Sequence, residues 1–202
     1  MAGRSHESYG QRGVSWVDRL GVWLSGSAIR RHLPAKSRLD VVELGCGFRA
    51  TQLIGIRDRL AHGTGVDFSI APECRELPGF TFIEAPIEVA LAKLAASAFD
   101  VVLLISVLEH LPEPDDVLRE IHGRLRPGGV LLVNVPTWRG KGFLEFSAFR
   151  LGWSPKVEMD DHKMYYDKRD LWPKLVTAGF LPSRVRLRYH KLGLNLFAIA
   201  TK

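Results

Sequence analysis

The sequence is poor in cysteine: Cys46 and Cys74 are the two thiols in 202 residues. Two cysteines build no disulfide framework, and Cys46 stands between two glycines where a bridge would be awkward. This excludes the small stapled scaffolds of secreted proteins and leads to the expectation of a reducing, cytoplasmic setting. Long apolar runs are also missing. The longest, VVLLISVL at 101–108, falls well short of the roughly 20 residues that a bilayer-spanning helix needs. The opening residues, MAGRSHESYG, lack the apolar core of a secretory signal. No internal repeat and no low-complexity tract is found. What is present is 46% hydrophobic and 25% charged residues, enough for one globular domain with a full core.

Charge is placed unevenly. The net charge is +6, yet residues 139–202 hold 13 Lys/Arg against 6 Asp/Glu, while the first 138 residues hold 15 against 16. A basic final third suits an acidic substrate or a phosphate. A nucleic acid is a further partner of that kind, and a solvated basic face is the equal alternative to all of them.

The run WVDRLGVWLSGSAIRRHL at 16–33 spaces Trp16, Leu20, Trp23, Leu24, Ile29 and Leu33 at helical intervals, which predicts one or two amphipathic helices. Residues 1–36 therefore read as an N-terminal helical lid segment, and 37–202 as the main domain. From residue 39 onward, short apolar runs alternate with helical stretches. Strands are expected at 39–44, 63–67, 80–84, 99–105 and 129–135. Helices are expected near 50–60, 87–96 and 115–125, with a short turn near 70–77. Such alternation predicts right-handed βαβ units and a parallel sheet covered on both faces, an α/β doubly wound architecture. After Pro136 the rhythm breaks. Residues 137–166 carry Trp138, Phe143, Phe146, Phe149, Trp153, Tyr165 and Tyr166, an aromatic insert of a length that reads as functional. A helix near 168–178 and a closing hairpin, 184–189 with 194–200, complete the chain.

The chemistry begins at VVELGCGFRA, residues 41–50. Gly45-Cys46-Gly47 follows a strand and precedes a helix, the context of a nucleotide-binding loop. Gly45, Gly47 and Ala50 also satisfy the G-x-G-x-x-A pattern of NAD enzymes, so an NAD-dependent oxidoreductase is one reading. Glu43 argues against it, because a carboxylate two positions before the first glycine repels a pyrophosphate and suits a cationic ligand. Asp67 ends the second strand, 20 residues after Gly47, placed to accept hydrogen bonds from both hydroxyls of a ribose.

Taken with FDVVLLISVLEHL at 99–111 and LRPGGVLLVNVP at 125–136, ELGCG and GVD in this order and spacing resemble the class I S-adenosylmethionine-dependent methyltransferases of small-molecule type. The resemblance implies a Rossmann-like seven-stranded sheet of order 3-2-1-4-5-7-6, with only the seventh strand antiparallel. It implies S-adenosyl-L-methionine as cofactor, with Gly45, Cys46 and Gly47 against its methionine part and Glu43 acting near its cationic end. Asp67 would hold the ribose, with Phe68 beside the adenine. Ala85, Pro86 and Ile87 would edge that ring, although many relatives carry an Asp where this chain has Ala85. Ile105 and Ser106 would face the methionine amine. Arg49 stands where much of the family has a third glycine; it either points to solvent as a helix begins or pairs with the cofactor carboxylate.

His110 follows the fourth strand at the sheet's carboxyl edge, where open α/β sheets place ligands. His162, in the cluster Asp160-Asp161-His162, ends the aromatic insert. Both are candidates for the catalytic base or for orienting the acceptor, and both can instead be structural. Glu109-His110 resembles the E-x-x-E-H motif of metal-dependent relatives, which include small-RNA 2′-O-methyltransferases and ubiquinone-pathway O-methyltransferases. Ser106 stands in place of the first glutamate, so no metal is expected. The expected activity is methyl transfer to a small-molecule or glycan-type acceptor, at oxygen. A non-catalytic cofactor-binding subunit of the same fold is the reading of a different class.

Overall fold

The computed structural model describes residues 8–10, 16–140 and 164–202. One seven-stranded sheet organises them, in the order β3-β2-β1-β4-β5-β7-β6. Its strands are β1 (Leu39–Leu44), β2 (Leu60–Asp67), β3 (Phe80–Glu84), β4 (Phe99–Ile105), β5 (Leu125–Pro136), β6 (Val185–His190) and β7 (Asn195–Thr201). The first five strands pair in parallel, and β7 inserts antiparallel between β5 and β6. The expected order and the single antiparallel strand are both observed.

Side chains alternate across each strand, so a parallel strand covered on both faces needs apolar residues at odd and even positions alike. The sequence supplies them. Val42, Leu44, Val102, Leu104, Leu131 and Val133 share one buried cluster with α4 (Ile87–Lys93), α5 (Pro114–Arg124) and α6 (Lys168–Thr177). Val41, Val101, Leu103, Val130 and Leu132 join the other cluster, which α1 (Trp16–His32), α2 (Thr51–Gly55) and α3 (Pro72–Arg75) cover. Helix α1 contributes Ser25, Ala28 and Ile29 to the interior, and His32 stacks at a tilt on Phe197 of β7, 5.6 Å between ring centroids. Among the described residues of 1–36, α1 packs into the core and residues 8–10 reach the loops of the carboxyl edge.

Two strands run further than the sequence pattern suggests. β2 begins at Leu60, held by pairing with Leu39, and β5 begins at Leu125, paired with Phe99 before a register shift restores Val130 opposite Val101. Helix α2 is shorter than the expected 50–60, with a separate 3-10 turn at Arg57–Arg59. At the amino edge, Arg126 bridges Asp40 at 2.8 Å and Asp100 at 2.9 Å, and Lys36 also reaches Asp100. Burial raises the Asp100 carboxyl, but the Asp40 backbone N–H, Lys36 and Arg126 outweigh it and hold the group below its usual value.

Two carboxyls lie in the interior near the opposite edge. Glu43 and Glu109 are each 1% exposed, and burial pushes each up to about 8. For Glu43 the Leu53 N–H pulls the other way and the negative charge of Asp67 adds to the rise. In the unfolded chain these groups titrate near 4.5, so over this range the unfolded state binds fewer protons than the native one. The resulting stability is full below that value and is lost as pH rises through about 8. The thermal midpoint of ligand-free protein is therefore expected to fall between roughly pH 5 and pH 8. Glu43→Gln keeps an acceptor for Leu53 and should make the fall shallower. Parallel curves for the two proteins would show that Glu43 does not titrate in this window.

Candidate cofactor and acceptor site

The site is built where β1, β2 and β4 end side by side. Leu44 pairs with Val66, so the chain leaving β1 meets the end of β2 immediately. Gly45 N and Cys46 N both donate to Val66 O, at 2.8 and 3.0 Å. This double donation requires a sharp turn, and Gly45 takes φ 73° to make it. A side chain there would also collide with β4's exit, because a Cβ on Gly45 would lie 2.4 Å from Val107 Cγ2. Gly47 repeats the positive φ at 74°. Cys46 is buried, and burial pushes its thiol up and out of the nucleophilic range.

The third left-handed position of the loop is Ala50, at φ 44°, and it is fully buried. Arg49 precedes it in a turn, is exposed, and lies close enough to Cys74 for its charge to act on that thiol. Glu43 turns inward and accepts from Leu53 N at 3.0 Å. It braces the first turn of α2 against β1.

Asp67 is the meeting point of the loops. Gly47 N donates to its Oδ2 at 2.7 Å and Phe68 N to its Oδ1 at 2.8 Å. Its own carbonyl accepts from Ala85 N at 3.0 Å, which fixes the exit of β3. The residue is 9% exposed, beside Phe68 at 40%. Pro86 caps α4, while Ala85 and Ile87 pack partly buried against the core. Glu84, which carries no motif, steadies this side: it accepts from Ile70 N at 2.7 Å and pairs with Arg75.

At the exit of β4, Ile105 is half-buried and Ser106 exposed in a left-handed turn, φ 57°. Ser106 N donates to Asn134 O at 2.7 Å, and the buried Asn134 amide lies 3.5 Å from Ser106 Oγ. His110 closes a 3-10 turn, Leu108–His110, and is half-buried. Glu109 of the same turn faces the interior, with one carboxyl oxygen lacking a hydrogen-bond partner among the described residues. Tyr166 packs beneath this turn, and burial together with Glu109 pushes its phenol up to about 12. Trp138 and Tyr165 bring their rings to 5.6 Å, with Trp138 48% exposed. His162 and residues 141–163 of the aromatic insert lie outside the described residues.

Ser8, Tyr9, Val107 and Asn134 also shape the site. The first two carry no signal, because they precede the first strand by some thirty residues. Val107 could have been suspected from the need for Gly45 opposite it. Asn134, a polar residue inside the apolar run VLLVNVP, marks a strand end whose polar group meets another loop.

The residues fit S-adenosylmethionine. A glycine turn permits close approach, the carboxylate at the end of β2 matches a ribose diol, and an exposed aromatic stands beside it for a purine. Among the described residues, no group of three or more His, Cys, Asp or Glu is arranged to hold a metal, and no helix is long and apolar enough to cross a membrane.

Residues 23–180 match the family model described as a methyltransferase domain. The chain is 34% identical over 126 residues to a ubiquinone biosynthesis O-methyltransferase of Marinobacter nauticus, covering 57% of this chain and 50% of that one. It is 38% identical over 114 residues to a trans-aconitate 2-methyltransferase of Rhodopseudomonas palustris, covering 52% and 43%. The chain thus spans about half the length of the curated relatives it matches. In fold it resembles the Burkholderia thailandensis 1,6-didemethyltoxoflavin-N1-methyltransferase, solved with bound 1,6-didemethyltoxoflavin and S-adenosylhomocysteine. The TM-score is 0.66 at 20% identity, covering 93% of this chain and 80% of that one. The family match extends over most of the chain. The protein belongs to the methyltransferase-domain family and has the seven-stranded fold seen in S-adenosylmethionine-dependent methyltransferases.

Proposed function

We propose that the chain methylates a hydroxyl of a small-molecule or glycan-type acceptor, with His110 as the base. The position of His110 carries the reading: the turn that begins two residues after Ser106 presents a half-buried imidazole at the carboxyl edge, close along the chain to the residues assigned to the methionine amine. The cofactor supplies an electrophilic methyl group on a sulfonium. The protein's own task is to hold the acceptor oxygen in line and to receive its proton. Asp67 binds the ribose, Phe68 and the stretch 85–87 edge the adenine, and Gly45 and Gly47 let the backbone approach the methionine part. Trp138 and Tyr165 offer an apolar, partly exposed wall suited to an acceptor with ring-like surface. Two of the matched proteins are named for methylating small molecules, and one of these names specifies oxygen. That naming supports the acceptor class. His162 is assigned to orienting the acceptor, and the solvent-exposed Arg49 to the cofactor carboxylate.

Asp67→Asn tests the cofactor anchor. An amide has one acceptor oxygen where the carboxylate has two, and charge-assisted bonds are worth about 1.5–3 kcal/mol each. Calorimetric affinity for S-adenosylhomocysteine is expected to fall at least about tenfold, with thermal unfolding confirming that the variant is folded. Unchanged affinity in a folded variant would remove the ribose assignment.

His110→Ala is expected to lower kcat by about 10²–10⁴-fold with cofactor affinity nearly intact. His162→Ala is expected to act mainly on KM. Both require an acceptor, which a screen with labelled S-adenosylmethionine over phenols, carboxylic acids and sugars would supply. Activity of the unaltered enzyme should survive a chelator. Inhibition by a chelator, reversed by a divalent ion, would replace the base with a metal site at Glu109 and His110.

A further inference from the structure

Residues 8–10 are bonded to both loops that leave β1 and β2. Ser8 is 5% exposed. Its Oγ donates a short hydrogen bond to Asp67 Oδ1 and accepts from Ser69 N at 2.8 Å. Tyr9 O accepts from Phe48 N at 2.9 Å. The strap runs so close to the glycine turn that a Cβ on Gly47 would come within 3.2 Å of Tyr9 O. Gly10, at φ 83°, turns the chain after this contact.

The acceptor directions of Asp67 can be counted. A carboxylate offers about four. Oδ1 receives Ser8 Oγ and Phe68 N, and Oδ2 receives Gly47 N. One direction remains, whereas a ribose diol brings two donors. The two N–H groups belong to the loops themselves and stay with the fold, so Ser8 is the contact that can yield. Its hydroxyl, giving a hydrogen bond to a carboxylate and taking one from a backbone N–H, does what a ribose hydroxyl would do at the same place.

We propose that Ser8 is a built-in stand-in for a ribose hydroxyl, and that the strap at 8–10 competes with the nucleoside of the cofactor for Asp67. The proposal rests on the reading of Asp67 as the ribose anchor. Closed, the strap satisfies the carboxylate in the absence of ligand. Binding requires it to release Asp67, so the observed affinity is the intrinsic one reduced by the fraction of molecules with the strap open. Ser8 thereby sets cofactor affinity without any contact to the methyl group, and it discriminates only against ligands that carry the diol.

The test uses the full chain and reads binding. Ser8→Ala removes the competing hydroxyl and is expected to tighten S-adenosylhomocysteine by roughly 3–20-fold. Ser8→Thr keeps the hydroxyl and should bind like the unaltered protein. A 2′,3′-dideoxy analogue of S-adenosylhomocysteine needs no diol acceptor, so Ser8→Ala should leave its affinity unchanged. In ligand-free Ser8→Ala, the amides of Phe48 and Ser69 should exchange faster, reporting the loosened strap. Weaker or equal binding of S-adenosylhomocysteine by Ser8→Ala, or an equal gain for the dideoxy analogue, would overturn the proposal. The two readings separate cleanly. Loss of affinity in Asp67→Asn without a gain in Ser8→Ala sinks the strap alone, while unchanged affinity when Asp67→Asn is added to Ser8→Ala sinks the ribose assignment and the strap with it.

Discussion

The carboxylate of Asp67 receives the backbone N–H of Gly47 from one loop and of Phe68 from the next, so two turns that the sheet cannot satisfy are satisfied by one side chain. Buried N–H groups without partners are costly, and loops at the end of parallel strands generate them in quantity. Register makes the solution available. With Leu44 opposite Val66, the residues leaving β1 fall beside those ending β2, and Val66 O and Asp67 between them collect the N–H groups of Gly45, Cys46 and Gly47. The carbonyl of Asp67 then fixes Ala85 at the exit of β3. A residue assigned to the cofactor is therefore also the hub that shapes three of the loops around it.

Crowding accounts for the residue types that surround this hub. Gly45 is required twice over, by its left-handed turn and by Val107 pressing from the next loop. An arginine in place of a third glycine does no harm, because the backbone at Arg49 needs no left-handed conformation. Ala50, one residue later, adopts that conformation instead, buried between the loop and α2. The G-x-G pattern thus marks two real backbone demands, and the family's third glycine is not one of them in this chain.

The parallel strands were legible because strands buried on both faces are apolar nearly throughout, as in VVLLI and VLLVNV, while their order was implied by the family resemblance of the motifs. The final hairpin announced the antiparallel β7. Boundaries were less legible where pairing overrides local preference. LRPGG looks like a loop, yet Leu125 finds a partner in Phe99, and the register shift absorbs the Pro-Gly segment inside β5. Ser8 could not be read at all. A serine thirty residues before the first strand has no periodicity and no spacing to a partner 59 residues away; only the assembled fold brings the two together. Glu84 hid for a similar reason, since its bond to Ile70 N depends on how the loop after β2 folds back.

Glu43 shows how burial alters what a motif residue can do. Its place two residues before the glycine turn suggests a charge aimed at a cationic ligand. In the folded protein it turns inward and takes the Leu53 N–H, and its pKa of about 8 leaves the carboxyl largely neutral near pH 7. Asp67 contributes to that shift, since a second negative charge nearby disfavours ionisation of the first. The division of labour follows from the partners. Asp67 receives backbone donors from two loops where they meet. Glu43, sealed beneath it, can hold a helix in place. A cation above the glycine turn would favour ionisation of Glu43 by the same electrostatics through which Asp67 now opposes it.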